Sequence, residues 1–169
     1  MKSHNIKVKG TCTYKTKDGV CGKTTILTHP YCNHHTKLTT GFYVAKSNIK
    51  GAGLGLFSAR HIDKGVMILE YTGERLSHKE FEEKYNEDGY GSYCITLNKS
   101  TVIDACKTSA GIARYICDCY NSGMTPNVKY ESTGRRIEIT TIKKIKPGDE
   151  LLGNYGPEMR RALGFYKKK

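Results

Sequence analysis

The chain contains no tryptophan and no long apolar run. A helix that crosses a bilayer needs about 20 consecutive apolar residues, so we expect neither a transmembrane segment nor a membrane partner. The first four residues lead into no apolar signal-peptide core, which favours an intracellular protein. With 169 residues and 37% hydrophobic content, the chain is long enough for one domain with a real core and a small appendage.

Acidic residues are the scarcer charge, since 16 Asp and Glu stand against 28 Lys and Arg and give a formal net charge of +12. The excess lies at the ends: residues 1–40 carry net +6 and residues 157–169 carry net +4. Basic ends suit weak contacts with nucleic acid, although solvated lysines are the commoner explanation. Neither end interleaves its charge with many aromatic residues, so no base-stacking face is expected.

Seven cysteines, an odd number without a secretion signal, argue for free thiols or metal ligands and against a disulfide framework. Three of them lie in a stretch of residues 12–35 that is too short to bury a core of its own. Thiolate and imidazole are the groups that structural zinc prefers, and four protein ligands close its tetrahedron. The candidate ligands are Cys12, Cys21, Cys32 and His35, with His34 as the alternative to His35.

This candidate zinc site has one irregular feature. Eight residues separate Cys12 from Cys21, more than the two to four that are usual between paired zinc ligands. A turn at residues 18–19 would bring the two cysteines together. Scattered thiols in a disordered basic tail are the alternative to a zinc site. His29 could substitute as a ligand, but the proline that follows it favours a role in a turn.

Residues 103–127 are rich in Cys, Asp, Asn and Gly. A buried strand end at residues 102–103 leads into a short helix that we expect Thr108 or Ser109 to cap, and then into a polar segment that closes at Pro126. Polar segments of this kind often bind ligands, although an ordinary surface loop fits these residues equally well when they are taken alone.

Eight short motifs follow one another from the middle of the chain to near its end. They are K-G-A-G-L-G-L-F at 50–57, E-Y-T-G-E at 70–74, S-Y-C-I at 92–95, V-I-D-A at 102–105, A-R-Y-I at 113–116, P-N at 126–127, G-D-E-L at 148–151 and N-Y-G at 154–156. In this order, and over roughly two thirds of the chain, they resemble the SET-domain protein lysine methyltransferases.

The resemblance implies a fold that is mainly β with short helices (α+β), of the SET type with a threaded C-terminal segment. The apolar pattern favours the same class. Strands are predicted at 41–44, 66–71, 92–97, 101–104, 127–131, 136–142 and 149–152. The predicted division is a Cys3His zinc-binding module at 1–40, a SET catalytic domain at 41–156 and a basic helix and tail at 157–169.

Two helices have recognisable start signals. Ser77 and Glu80 form a capping box, which predicts a helix that ends near Tyr85. Pro157 suits a first helical position and predicts a last helix to about Leu163.

By resemblance, the glycine-rich loop lines a pocket for S-adenosylmethionine, with Ala52, Gly53 and Leu54 at the methionine end. Glycines at alternate positions let a backbone approach a ligand closely, but alone they suit a hairpin turn just as well. Their spacing is also not the G-x-G-x-x-G of dinucleotide-binding folds. The other expected cofactor-binding residues are Tyr93, Arg114, Cys117, Asp118 and Tyr155.

Methylation of lysine requires a neutral and correctly oriented amine, and tyrosine side chains can help to provide both. The amine reacts only when neutral, and with a solution pKa near 10.4 only about one part in several hundred is neutral at pH 8. A narrow apolar channel and a nearby sulfonium both disfavour the ammonium, so no dedicated base is required. Tyrosine rings can line the channel while their hydroxyls orient the amine. Tyr155, in its N-Y-G context, and Tyr93 are the predicted catalytic residues.

The sequence departs from the family pattern at Cys117 and Asp118, where N-H is usual. Loss of the Asn amide removes about one polar contact with the cofactor, worth about threefold to tenfold in affinity. Cofactor binding should therefore be weakened and retained. If the register is different here, Asn121 is the next candidate for this contact.

The expected function is that of an S-adenosylmethionine-dependent protein-lysine N-methyltransferase with a structural Zn²⁺. A histone tail or nucleosome is the substrate that the resemblance favours, which implies a nuclear or chromatin-associated protein. One alternative is a catalytically weak SET-like module that docks a lysine tail or another protein. A more distant one is a zinc-module adaptor for nucleic acid, which steep salt dependence of DNA binding would support.

Overall fold

The computed structural model describes residues 9–85, 91–106, 110–157 and 160. Short strands predominate, with two α-helices and one 3-10 turn among the elements given for these residues. This confirms the prediction of a mainly β fold with short helices. No helix in the described part of the chain is long and apolar enough to span a bilayer.

The N-terminal part consists of two tiny β-ladders and a helix. Its elements are β1 (Gly10–Thr11), β2 (Lys15–Thr16), β3 (Gly19–Val20), β4 (Thr24–Thr25) and α1 (Asn33–Thr40). β1 pairs with β4, and β2 pairs with β3, both in antiparallel fashion. The helix ends at Gly41, which adopts the left-handed conformation (φ 76°) that glycine accepts without strain and donates its amide to Lys37.

Ten further strands and one helix follow. They are β5 (Phe42–Lys46), β6 (Leu54–Ser58), β7 (Met67–Glu70), β8 (Glu74–Ser77), α2 (His78–Tyr85), β9 (Cys94–Asn98), β10 (Thr101–Asp104), β11 (Cys117–Asp118), β12 (Val128–Ser132), β13 (Ile137–Thr141) and β14 (Leu152–Gly153). Two three-stranded sheets have the orders β8-β10-β9 and β12-β13-β7, while β5-β6 and β11-β14 form two-stranded ladders. Only the β11-β14 ladder is parallel among these pairings.

Alternation of apolar and polar residues decides which face of each strand is buried. In β13, residues 137, 139 and 141 are buried and the two residues between them are half-buried, as the period of two in a strand requires. In β5, Phe42 and Val44 point inward in the same way. Buried residues from β5, β6, β9, β10, β12 and β13 form one apolar core, which Leu27 of the N-terminal part also joins.

Several predicted boundaries differ from the observed ones, and seven strands were not predicted, namely β1 to β4 of the N-terminal part and β6, β8 and β11. The predicted strand at 149–152 begins only at Leu152, because Glu150 instead forms an isolated bridge with Phe57. The glycine-rich loop ends in the unpredicted strand β6, since residues 54–58 pair with β5 as a hairpin. Strands β8 and β11 were also missed, because their partners lie far away in the sequence.

The capping box is present as predicted. The Ser77 amide donates to the Glu80 carboxylate at 2.7 Å, and the Ser77 hydroxyl accepts from the Glu80 amide at 3.2 Å. The helix cap expected at Thr108 or Ser109 lies outside the described residues. So does most of the predicted C-terminal helix, of which residues 157 and 160 are described and helical.

Candidate functional site

The C-terminal segment is threaded beside β11, with which β14 pairs in parallel. Asn127, from the P-N motif, holds this segment in place. Its Nδ2 donates to the carbonyl of Glu150 at 2.8 Å, and its Oδ1 accepts from the amide of Leu152 at 2.8 Å. The side chain thus replaces the partners that the two backbone groups would have in a wider sheet.

Tyr155 follows the threaded strand directly. Its hydroxyl donates to the carbonyl of Ile116 at 2.6 Å, and its amide donates to Oδ1 of Asp118 at 3.3 Å. Burial raises the pKa of the Tyr155 phenol well above its usual range, and the nearby Cys117 and Asp118 add to the shift. The phenol therefore stays protonated, and because its proton is directed at a carbonyl, its oxygen lone pairs are available as acceptors.

Three more tyrosines lie around Tyr155, and we name Tyr71, Tyr93, Tyr130 and Tyr155 the tyrosine cluster. The hydroxyl of Tyr71 donates to the carbonyl of Tyr93 at 2.9 Å. Ring centroids are 6.2 Å apart for Tyr71 and Tyr130, and 6.4 Å apart for Tyr130 and Tyr155, both edge to face. Burial raises the pKa of Tyr71 and of Tyr130, so the cluster presents neutral aromatic surface and hydroxyl groups.

Tyr71 and Tyr130 were not among the predicted site residues. Tyr71 stands inside the E-Y-T-G-E motif, which was a usable signal for it. Tyr130 lies two residues after the buried Val128 on β12, and the period of a strand places both on one face. With twelve tyrosines in the chain, neither signal separates a site residue from an ordinary core residue without the pairing of the strands.

Gly55 and Gly153 are required at their positions because other groups pass close to their backbone. A Cβ on Gly153 would lie 2.6 Å from the Tyr130 ring, so this glycine lets the tyrosine cluster rest on the threaded strand. A Cβ on Gly55 would collide with the carboxylate of Glu150. That buried carboxylate accepts from the Ser47 hydroxyl at 2.6 Å and the Asn48 amide at 2.8 Å, and so ties the glycine-rich loop to the threaded segment.

Arg114 and Tyr93, both predicted site residues, are in direct contact. The guanidinium carbon of Arg114 lies 3.7 Å from the centroid of the Tyr93 ring, and one Nη donates to the carbonyl of Ala105. A cation over an aromatic face is attracted by the ring quadrupole, the more so when desolvated, and Arg114 is buried. The pair therefore forms one rigid wall of the tyrosine cluster, to which Tyr93 belongs.

The glycine-rich loop meets β11 through Cys117. The Cys117 thiol donates to the carbonyl of Leu54 at 3.4 Å, and burial raises its pKa to about 11, so it remains a neutral thiol. Gly53 accepts from the Ser47 amide at 2.9 Å. Ala52, Gly53 and Leu54 are all exposed, and their only described links to the site are these backbone contacts.

Both carboxylate oxygens of Asp118 already accept hydrogen bonds from other groups of the protein. Arg160 donates Nε to its Oδ2 at 2.6 Å and Nη2 to its Oδ1 at 2.9 Å, and the Tyr155 amide shares the second oxygen. A bidentate pair of this kind fixes both partners. Asp118 therefore anchors the chain that follows the threaded strand, and any contact of this residue with a cofactor would have to come from its backbone.

The region beside Tyr93 fits a polar ligand. Within the described residues, two buried side-chain atoms have no hydrogen-bond partner, Arg114 Nε and Ser92 Oγ. Ser92 directly precedes Tyr93, and Arg114 stacks on the Tyr93 ring. A buried polar group without a partner costs about 1–3 kcal/mol, so these atoms suit a ligand that supplies the missing acceptors. The carboxylate of S-adenosylmethionine is a group of that kind.

The four predicted zinc ligands converge. One donor atom from each of Cys12, Cys21, Cys32 and His35 lies within 4.8 Å of all the others. The Sγ atoms of Cys12 and Cys32 are 3.4 and 3.5 Å from His35 Nδ1. Zinc bonds of about 2.3 Å to sulfur and 2.0–2.1 Å to nitrogen in a tetrahedron place such atoms about 3.6 Å apart, so the donor set fits the ion.

The local structure explains this convergence. Backbone bonds from Cys12 to Lys23 and from Gly22 to Cys12 fold the first two cysteines together, which overcomes their long spacing. Burial would raise the pKa of the Cys12 thiol, but the amides of Cys32 and Tyr14 more than offset it and lower that pKa to about 6. Such a thiol readily becomes the thiolate that binds metal.

The two alternative histidines lie outside the cluster. His34 is exposed, whereas His35 is buried and stacks on Tyr14 with ring centroids 4.1 Å apart. His29 Nδ1 is 3.2 Å from the Thr36 hydroxyl and does not belong to the donor set.

Comparison with known proteins gives the same family as the motifs. The SET-domain model matches residues 53–156. "Histone-lysine N-methyltransferase EZH2" of Chaetomium thermophilum is 34% identical over 132 residues, covering 71% of this chain and 9% of its own length. "Histone-lysine N-methyltransferase trr" of Drosophila melanogaster is 39% identical over 116 residues, covering 67% and 5%. The chain thus spans less than a tenth of either relative.

A solved structure agrees with the fold. The structure described as "ctPRC2 in an autoinhibited conformation bound to S-adenosylmethionine" superimposes with a TM-score of 0.60 at 31% identity, covering 73% of this chain and 16% of that one. The parallel threaded ladder, the eight ordered motifs and these matches lead to one conclusion. The chain belongs to the SET-domain family.

Proposed function

We propose that this domain transfers a methyl group from S-adenosylmethionine to a lysine side chain of a protein. The observation that carries the proposal is the position of Tyr155. Its phenol is buried, neutral and hydrogen-bonded to Ile116, and it lies among the other members of the tyrosine cluster. This arrangement supports a narrow aromatic channel in which a lysine amine meets hydroxyl acceptors.

The tyrosines would act on the substrate amine in two ways. Their rings exclude water and lower the pKa of the entering lysine, because an apolar wall disfavours the ammonium. The Tyr155 oxygen and the Tyr93 hydroxyl would then accept hydrogen bonds and orient the neutral amine. S-adenosylmethionine, when bound, supplies an electrophilic methyl group on a sulfonium.

We propose that the following groups near the tyrosine cluster and the threaded segment hold the cofactor. Arg114 Nε and Ser92 Oγ offer unused polar groups, while residues 52–54 and Cys117 offer backbone and a neutral thiol. Asp118 contributes through its backbone, because its carboxylate is paired with Arg160. The four ligands of the N-terminal module are proposed to hold one structural Zn²⁺, with no open position for catalysis.

The proposed substrate is a histone, alone or in a nucleosome, and the proposed location is chromatin. The names of the curated relatives support this choice. The formal charge of +12 adds a condition, since two basic ends would repel a basic tail unless nucleosomal DNA lies between them. Activity should therefore be higher on nucleosomes than on free histones.

Radiolabelled methyl transfer onto recombinant histones and nucleosomes, followed by mass spectrometry of the modified residue, tests this function. Label on lysine that disappears with Tyr155→Phe would support it. Binding of S-adenosylmethionine in calorimetry without transfer to any protein would overturn it.

One observation favours a second candidate, a docking module with weak catalysis. The residue at 118 is held by Arg160, so one side chain of the N-H pair common in the family is here used for structure. Calorimetry separates the candidates, because the docking module would bind a lysine peptide while binding S-adenosylmethionine weakly or not at all.

A further inference from the structure

The loop between the two halves of the zinc site reaches the candidate catalytic centre. Thr28 is fully buried, and its hydroxyl donates to the carbonyl of Gly111 at 3.3 Å. Its amide donates to the hydroxyl of Tyr115 at 3.2 Å. These two contacts lie at either end of the 3-10 turn Ile112–Tyr115, which carries Arg114.

The contacts continue to Arg114 itself. Tyr115, which accepts from Thr28, also lies under the guanidinium at 5.7 Å from its ring centroid. The guanidinium also contacts the ring of Tyr93, whose centroid is 3.7 Å away. Gly111, the second partner of Thr28, donates its amide to the Thr72 hydroxyl at 2.9 Å. Thr28 is thus one contact away from the wall that Arg114 and Tyr93 form.

The zinc ligands fix the loop that carries Thr28. Cys21 precedes the loop, and Cys32 and His35 follow it. The carbonyl of Tyr31, in the loop, accepts from Thr25 Oγ1 of the loop and from Thr36 Oγ1 of α1. Leu27 is its only deeply buried aliphatic side chain. Without the metal, closing this loop would cost chain entropy that one leucine and a few hydrogen bonds do not offset.

We propose that Thr28 is a positioning residue that sets the 112–115 turn for Arg114, and that metal binding in the N-terminal module is thereby coupled to cofactor binding. This inference rests on the proposed function for its link to the cofactor. Its structural half is the coupling of the proposed zinc site to residues 110–116, and this half does not depend on the cofactor. Coupling between two binding sites is reciprocal, so the cofactor must also favour retention of the metal.

Hydrogen exchange tests the structural half without any activity. Removal of metal by a chelator should raise amide exchange in residues 9–40 and also in residues 110–116, while the β12-β13 hairpin stays protected. Thr28→Val removes the hydroxyl at nearly constant shape, and it should raise exchange in residues 110–116 while one zinc per chain is retained. Increases that stop at residue 40 would overturn the proposal.

Kinetics tests the functional half. Thr28→Val should raise the KM for S-adenosylmethionine by about threefold to tenfold, the value of one neutral hydrogen bond, with little change in kcat. Thr28→Ser keeps the donor and should recover most of the loss. The matched control is Thr39→Val, since the Thr39 hydroxyl also donates to a carbonyl within the module but has no described contact with residues 110–116. Equal effects of Thr28→Val and Thr39→Val would contradict a positioning role.

A second variant guards against misfolding. Tyr115→Phe removes the acceptor of the Thr28 amide and keeps the ring beside Arg114, so the same rise in KM is expected. The reciprocal experiment measures transfer of zinc to a coloured chelator, which saturating S-adenosylmethionine should slow by about threefold to tenfold. If the wild-type protein bound no S-adenosylmethionine, the proposed function would fail, and the exchange experiment would still decide the structural coupling.

Discussion

Residues 9–40 bury one aliphatic side chain, Leu27, and leave Val20, Ile26 and Leu38 more than 60% exposed. Residues 41–157 bury a continuous set of isoleucines, leucines, valines and phenylalanine in one core. The same chain therefore contains a region that packing can stabilise and a region that packing cannot. We therefore expect the N-terminal module to depend for its stability on bonds from Cys12, Cys21, Cys32 and His35 to a metal ion.

The comparison also applies to polar groups. We call residues 41–157 the SET body. There, buried polar side chains such as Asp104 and Glu150 are paired with charges, hydroxyls or amides. In the module, by contrast, three thiols and an imidazole converge on one small volume. Neutral thiols packed around an imidazole leave these polar groups poorly paired, whereas a cation at their centre would bind all four of them.

Removal of the metal should have the largest effect, because we expect only the N-terminal module to depend on it. A chelator, or Cys12→Ser, should unfold residues 9–40 while the apolar core of the body persists, because a structural zinc contributes on the order of 10 kcal/mol to such a module. Elemental analysis should find one zinc per chain, and hydrogen exchange should locate the loss. Cys119→Ser, a buried cysteine outside the module, is the control. Freshly purified protein without zinc would refute the site.

Tyr155→Phe should have the next largest effect. Loss of the hydroxyl should lower kcat for methyl transfer by about 10²-fold or more and leave the affinity for S-adenosylmethionine nearly unchanged, since only the group that orients the amine is lost. Tyr43→Phe is a suitable control, because Tyr43 stacks on Phe57 outside the tyrosine cluster. Near-normal turnover would remove Tyr155 from the reaction.

The body also contains a charged pair whose contribution can be measured. Asp104 is fully buried and accepts from Lys84 Nζ and the Tyr85 hydroxyl, each at 2.6 Å. Burial would raise the pKa of this carboxyl, but those partners more than offset it and lower the pKa to about 2. The pKa of Asp104 is lower in the folded protein than in the unfolded chain. The pair therefore contributes its full stabilisation of the fold above about pH 4, and this contribution is lost as the pH falls toward 2.

Asp104→Asn should therefore lower the free energy of unfolding at pH 7 by about 1–3 kcal/mol, discounted because the Lys84 side chain is a third exposed. Urea unfolding at pH 7 and at pH 3 measures it, and the gap between the two proteins should narrow at the lower pH. Glu131→Gln, in an exposed pair with Lys129, should change stability by less than about 1 kcal/mol. A constant gap at both pH values would exclude the ionised carboxylate as the cause.

Local signals in the sequence predicted local structure. The capping box at Ser77 depends on groups three residues apart, and the Cys3His set depends on residue types that have few other uses together. Helix α1 was missed for a local reason too. Its cap position, Cys32, makes no side-chain capping bond, and its residues are rich in threonine, a weak helix former.

The remaining features depend on partners far away in the chain. Strand β11 exists because the threaded segment supplies β14, and Tyr71 belongs to the cluster because its hydroxyl reaches the carbonyl of Tyr93. Neither pairing leaves a pattern within one window of sequence. The family resemblance predicted the threaded segment, but the placement of Thr28 beside Gly111 and Tyr115 follows neither from the family motifs nor from composition.

The smallest predicted effect concerns the family departure at Cys117. Its neutral thiol already lies beside the glycine-rich loop, bonded to the carbonyl of Leu54, and Ser47 and Glu150 also interact with it. An asparagine here would find these polar partners and would restore the amide that the family uses. Cys117→Asn should therefore lower the Kd for S-adenosylmethionine by up to about tenfold, the value of one hydrogen bond, and raise turnover at low cofactor concentration.

Isothermal titration with S-adenosylmethionine measures this change. Cys119→Asn, at the next buried cysteine in the same small cluster, is the matched control and should not tighten binding. Loss of activity with an intact fold would mean that Cys117 serves packing against Leu152 and Ile49, its neighbours in that cluster. The contact would then fall to Asn121, whose left-handed backbone (φ 56°) marks a tight turn two residues after Cys119.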